Sequence, residues 1–134
     1  MIKSKKLLVL YGPNTNLLGL QTSNNINLDK FNKEIRKIAE TMNLDAIIYQ
    51  TNEEGKAVTK LQRSRKKIIA IILFPGPWQH TGYALLDLIV LLNIPYVTIT
   101  MKKQKTIFNG IKNIIYEDLE KTVKEALKII KKQI

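Results

Sequence analysis

The sequence predicts an α/β protein, a three-layer sandwich with helices on both faces of a parallel sheet. Three observations predict it. Short apolar runs alternate with segments of helical periodicity along the whole chain, the pattern of strands joined by crossover helices. The run KIIAIILFP at 67–75 is apolar on both faces, as a central parallel strand covered from both sides must be. The apolar runs at 6–12 and 67–75 close on Gly and Pro, the residues that stop a strand and turn the chain.

The elements follow in order. KLLVLYG (6–12) is a buried strand closed by Gly-Pro-Asn. The polar stretch LGLQTSNNIN (18–27) is a loop. Leu28 to Met42 is a helix, with Leu28, Phe31, Ile35, Ile38, Ala39 and Met42 on one face. Asn27 suits its N-cap, and Asn43 can end it in a left-handed turn. LDAIIYQT (44–51) is the second strand. A short helix from Glu53 to about Arg65 turns Val58 and Leu61 inward. The third strand (67–75) leads into a helix over His80–Asn93. YVTIT (96–100) is the fourth strand, and IKNIIY (111–116) can add a short fifth at an edge. Asp118 to Ile134 is the last helix, its acids early and its lysines late, as the helix dipole favours. A flavodoxin-like strand order 2-1-3-4, with room for strand 5, fits this length. Ligands of such sheets bind beyond the carboxyl ends of the strands, near the switch point between strands 1 and 3.

Composition bounds the setting. The 134 residues make one domain, 1–134. A chain of this length buries roughly two-thirds of its unfolded surface and needs no disulfide or metal to fold. It has no Cys, which excludes a disulfide framework and cysteine-ligated zinc and suits a reducing compartment. No stretch reaches the ~18 apolar residues of a membrane span. MIKSKK runs straight into a strand without a signal-peptide pattern. The expectation is a soluble, cytoplasmic protein with no membrane contact and no metal. The net charge is +11, and of the 22 basic residues only Arg36, Arg63 and Arg65 are arginines. The lysines are spread along helices, as on solvated faces under a Lys/Ile/Asn bias. Non-specific polyanion binding is open to such a chain. Dedicated nucleic-acid recognition finds no aromatic-rich strand motif or zinc finger here.

The candidate site residues cluster at the strand ends. The chain's one His, His80, and Thr81 fall where the third helix starts. An imidazole, hydroxyl and amide groups, and a helix N-terminus together suit a small polyhydroxylated or carboxylated ligand. Asn14 and Asn52 place amides at the ends of strands 1 and 2; Asn14 is equally a turn residue. Trp78 can wall a pocket or pack as shielding. The helix YALLDLIVLL (83–92) is apolar nearly all round, broken by Asp87. A second copy of the chain is its simplest cover.

Three segments, LYGPNTNLLG (10–19), QTNEEG (50–55) and PGPWQHTGYALLD (75–87), together resemble the signatures of the type II 3-dehydroquinate dehydratases. Their usual forms in that family are NGPNLNLLG, QSN-x-EG and NPGA-x-x-HTS-x-AL-x-D. The likeness covers about residues 6–100. It implies a flavodoxin-like fold, a trimer-based dodecamer, and the shikimate-pathway conversion of 3-dehydroquinate to 3-dehydroshikimate without a cofactor. It implies ligand-positioning roles for Asn14, Asn52, His80, Thr81 and Asp87. The family's proton is taken by a lid Tyr beside an Arg, and its leaving hydroxyl is protonated by a His on strand 4. The lid region here is LGLQTSNNIN, with neither Tyr nor Arg. Strand 4 carries Thr98 and Thr100 where Glu and His are usual. Lys102 and Lys103 replace Ser-Asn, and Phe74 replaces the Asn of NPG. Of the remaining groups, Tyr11 and a folded-back Lys102 or Lys103 are the available substitutes. The expectation is a homologue whose dehydration is impaired or absent. The alternative is a non-catalytic oligomer that binds an anionic ligand or nucleic acid.

Overall fold

A computed structural model describes residues 5–20 and 26–134 of the chain. Strand β1 (Lys5–Tyr11) is followed by a 3₁₀ turn at Thr15–Leu20, helix α1 (Leu28–Thr41), β2 (Leu44–Gln50) and α2 (Glu54–Ser64). Then come β3 (Ile68–Phe74), a single helical turn α3 (Trp78–Thr81), α4 (Tyr83–Leu92), β4 (Tyr96–Thr100), β5 (Lys112–Ile115) and α5 (Leu119–Gln133). The five strands form one sheet in the order β2-β1-β3-β4-β5, and every pairing is parallel. The predicted class and strand order hold, and the edge strand at 112–115 completes the sheet. Of the loop expected at 18–27, residues 18–20 belong to the 3₁₀ turn and residues 21–25 lie outside the described residues.

The sheet carries a core on each face, because alternate residues of a strand point to opposite sides. Leu7, Val9, Ile72 and Phe74 face α1 and α5, meeting Phe31, Ile35, Val123 and Leu127. Leu8, Leu10, Ile71 and Leu73 face the other way, toward Leu61 of α2, Leu85 and Leu88 of α4, and Phe108. Five of the seven positions of β1 and six of the seven of β3 are buried, which is why their sequences show no polar alternation. Burying each such Leu or Ile contributes about 1.5–3 kcal/mol before chain entropy is counted.

Local signals act as their chemistry requires. The Asn27 side chain accepts the Lys30 N–H at 3.0 Å and caps α1. Asn43 takes φ 59°, the left-handed turn after α1. Asp118 caps α5 in the same way, from Lys121 N–H at 2.9 Å. Thr98, fully buried in β4, donates its hydroxyl to Asn113 Oδ1 at 2.7 Å, and Asn113 Nδ2 donates onward to Phe108 O. A hydroxyl inside the sheet is tolerable because it is paired, and here the pair ties β5 to β4.

The single helix expected over His80–Asn93 is two helices. Gly82 separates them, with ψ 45° and its N–H donated to Trp78 O. A Cβ at Gly82 would lie 2.9 Å from Trp78 Cβ and 3.2 Å from the Phe108 ring. The chain turns there because the Trp78 and Phe108 side chains close in on a residue without one. The described part contains no helix long and apolar enough to cross a membrane.

Candidate functional site

The carboxyl ends of β1, β3 and β4 meet around a tight turn. Gly12 N–H donates to Phe74 O at 2.8 Å, which joins the two strand ends. A Cβ at Gly12 would lie 2.5 Å from Pro75 O, so only glycine allows this approach. Asn14 has φ 66°, a conformation Asn accepts more readily than most residues. Its N–H donates to Asn52 Oδ1 at 3.0 Å. Gln50 Nε2 donates to the same oxygen and to Gly12 O, both at 3.2 Å. Thr15 Oγ1 donates to Gly12 O at 2.7 Å. The amides at the end of β2 thus clamp the turn after β1. Gly76 takes φ 53° opposite, with Pro13 O 2.9 Å from where a Cβ would stand.

Between this turn and β4 lies a cleft of about 420 Å³, within the range for small-molecule sites. Leu18, Phe74, Ile99 and Met101 form its apolar wall. Asn14, Thr15, Gln79, Thr100, Lys102 and Gln104 supply its polar groups. Lys102 is the one ionisable side chain among the described lining residues. Thr100 donates its hydroxyl to Lys102 O at 3.0 Å, fixing the bend that carries Lys102 past the end of β4.

The residues expected from sequence divide into three groups. Asn14 lines the cleft and Asn52 holds Asn14 in place, itself outside the lining. His80, Thr81 and Asp87 are exposed, and none is among the lining residues. Thr81 Oγ1 reaches back to Pro77 O at 3.4 Å within its own turn. Asp87 shares the exposed side of α4 with Tyr83, Val90 and Leu91. Tyr11, named as a substitute proton carrier, is corrected to a core residue. It is fully buried, stacked on Phe74 with ring centroids 4.3 Å apart, and donates its hydroxyl to Asn32 Oδ1 at 2.7 Å. Burial pushes its pKa far up, only partly opposed by Arg36, so a phenolate base is not available there.

Sequence reasoning passed over two residues. Gln79 lines the cleft one position before His80 and is 2 % exposed; a polar residue next to a lone imidazole carries no signal of its own. Glu54 accepts the Leu85 N–H at 3.0 Å. It thereby caps α4, whose own N-cap, Gly82, has no side chain to do so. The described residues offer no group of three or more His, Cys, Asp or Glu placed to hold a metal ion.

A doubly wound parallel sheet with a cleft at the carboxyl ends of β1, β3 and β4 defines the flavodoxin-like class of fold, in which ligands sit at that edge. Within that class the match is particular. The family profile described as Dehydroquinase class II matches residues 5–107, and the chain belongs to that family. It is 35% identical over 98 residues to the 3-dehydroquinate dehydratase of Endomicrobium trichonymphae, covering 71% of this chain and 68% of the relative. The corresponding protein of Caldicellulosiruptor bescii is 35% identical over 99 residues, with the same coverage. The crystal structure of type II dehydroquinase from Butyrivibrio crossotus shares the fold, with a TM-score of 0.82 at 23% identity over 94% of this chain and 97% of that one.

Proposed function

We propose that this chain binds a small polyhydroxylated carboxylate in the cleft and does not dehydrate it at the rate of a family enzyme. One observation carries the reading: the cleft wall has a single ionisable side chain, Lys102, among its described residues. Removing a proton beside a carbonyl requires a positioned base, and expelling a hydroxyl requires an acid. The two hydroxyls on β4 at the family's Glu and His places are already donated, Thr98 to Asn113 and Thr100 to Lys102 O. Residues 21–25, QTSNN, contain no group that titrates near neutral pH. Acid and base are each worth about 10²–10⁴ in rate. Losing both removes about 10⁴–10⁸. Lys102 supplies a positive charge suited to a carboxylate.

The same reading gives α4 a second copy of the chain as its cover, in a trimer or a multiple of one. Its support is the exposed apolar side of α4, where Tyr83 is 62%, Val90 67% and Leu91 75% accessible. Purified protein given 3-dehydroquinate should form no conjugated enone, followed by its ultraviolet absorbance, above the uncatalysed background. Turnover at an ordinary rate for the family would refute the proposal.

A further inference from the structure

The Gln79 side chain stands out in the cleft. The residue is 2 % exposed and lines the cavity, yet its Nε2 is buried without a hydrogen-bond partner among the described residues. Its backbone is held from both sides. The N–H donates to Gly76 O at 3.1 Å, and the carbonyl accepts the Ile107 N–H at 2.8 Å. The amide nitrogen is the atom left without a fixed role. Over nine-tenths of buried polar groups have a partner, and an amide donor kept from water without one is destabilising. No acceptor among the described residues, the Thr98 and Thr100 hydroxyls included, lies within hydrogen-bond reach of Gln79 Nε2. The last torsion of a Gln side chain is broad and roughly two-fold, so the amide can turn toward the cavity without moving the backbone.

We propose that Gln79 is a specificity-determining residue of the cleft, its side-chain amide donating to a neutral oxygen of a small ligand whose carboxylate is held by Lys102. This rests on the reading that the cleft binds such a ligand, and adds which group reads the second oxygen. The two residues come from different strands' ends, Gln79 after β3 and Lys102 after β4. They offer only hydrogen-bond donors and positive charge to an anion, apart from the amide oxygen of Gln79, which can accept from a hydroxyl. A carboxylate with a hydroxyl or carbonyl on the same ring satisfies both, whereas a carboxylate on a bare ring satisfies only Lys102.

The test uses quinate, which has hydroxyls, and cyclohexanecarboxylate, which has none, titrated calorimetrically into the parent and Gln79→Met. The parent should prefer quinate. Gln79→Met should lose about five- to tenfold of its quinate affinity, the factor for one ordinary hydrogen bond, with cyclohexanecarboxylate affinity unchanged. Without ligand, Gln79→Met should melt at or above the parent temperature, since it removes an unpartnered buried amide. Equal quinate affinity in the two proteins overturns the inference and leaves the cleft a binding site. A variant that melts well below the parent, or does not fold, overturns it by showing a structural amide. A parent that binds neither acid overturns it together with the reading of the cleft.

Discussion

Replacing Glu54 by Ala should destabilise the protein by about 1.5–2 kcal/mol, at the lower end of the range for a hydrogen bond to a charged group. The carboxylate accepts the Leu85 N–H at 3.0 Å across 31 residues of sequence. Leu85 lies in the first turn of α4, where the backbone N–H groups have no partner within the helix. Glu54 also stands in the first turn of its own helix, α2, so its charge faces two positive helix ends, each worth about 0.3–1 kcal/mol. Solvent screening of the half-exposed carboxylate keeps the total below the sum of these terms. For a domain of this size the loss corresponds to about 5–8 °C in melting temperature. Urea denaturation followed by far-ultraviolet circular dichroism reads it directly. Glu54→Gln keeps an acceptor and loses the charge, and should fall between parent and Ala. Glu53→Ala is the control, because Glu53 is exposed and its pair with Lys56, at 2.8 Å, is a surface one of small worth. A Glu54→Ala variant within about 0.5 kcal/mol of the parent, the ordinary range of surface changes, would refute the capping argument.

Two further outcomes follow from the same geometry. Burial raises the Tyr11 pKa above that of the unfolded chain, so its contribution to stability is complete below pH ~10 and is lost as pH rises beyond it; denaturation midpoints between pH 9 and 12 should fall, and fall less steeply in Tyr11→Phe, with an equal slope refuting the assignment. The residual slope belongs to Tyr96 and Tyr116, which burial also raises, and to Lys56 and Lys124, raised by their hydrogen bonds to Glu53 and Glu120. Val90→Lys should dissociate the proposed oligomer by placing a charge on the apolar side of α4, as measured by light scattering; a parent that is already monomeric at micromolar concentration refutes that assembly.

What the sequence by itself determined is local and periodic. The apolar runs placed β1 to β4 within one or two residues, because a strand buried on both faces cannot hide its composition. Asn27 and Asn43 marked the ends of α1 because capping and left-handed turns depend on residues within four positions of each other. Three short segments in register pointed to the family, and the same segments sit where the strands end. The tertiary structure alone decided the rest. The two adjacent glutamates of TNEEG are indistinguishable in sequence, yet Glu54 caps α4 and Glu53 pairs at the surface, since only one points at Leu85. Gln79 and His80 differ by one residue, about 100° around a helix, which sends one into the cleft wall and the other out. The break at Gly82 that ends this turn is packed by Trp78 and by Phe108, which approaches from 26 positions further along the chain. Tyr11 reads as a site residue from its place at the end of β1, but its ring stacks on Phe74 and its hydroxyl meets Asn32 on α1. A side chain's direction at a strand end depends on what packs over it from distant segments, and no local pattern carries that information.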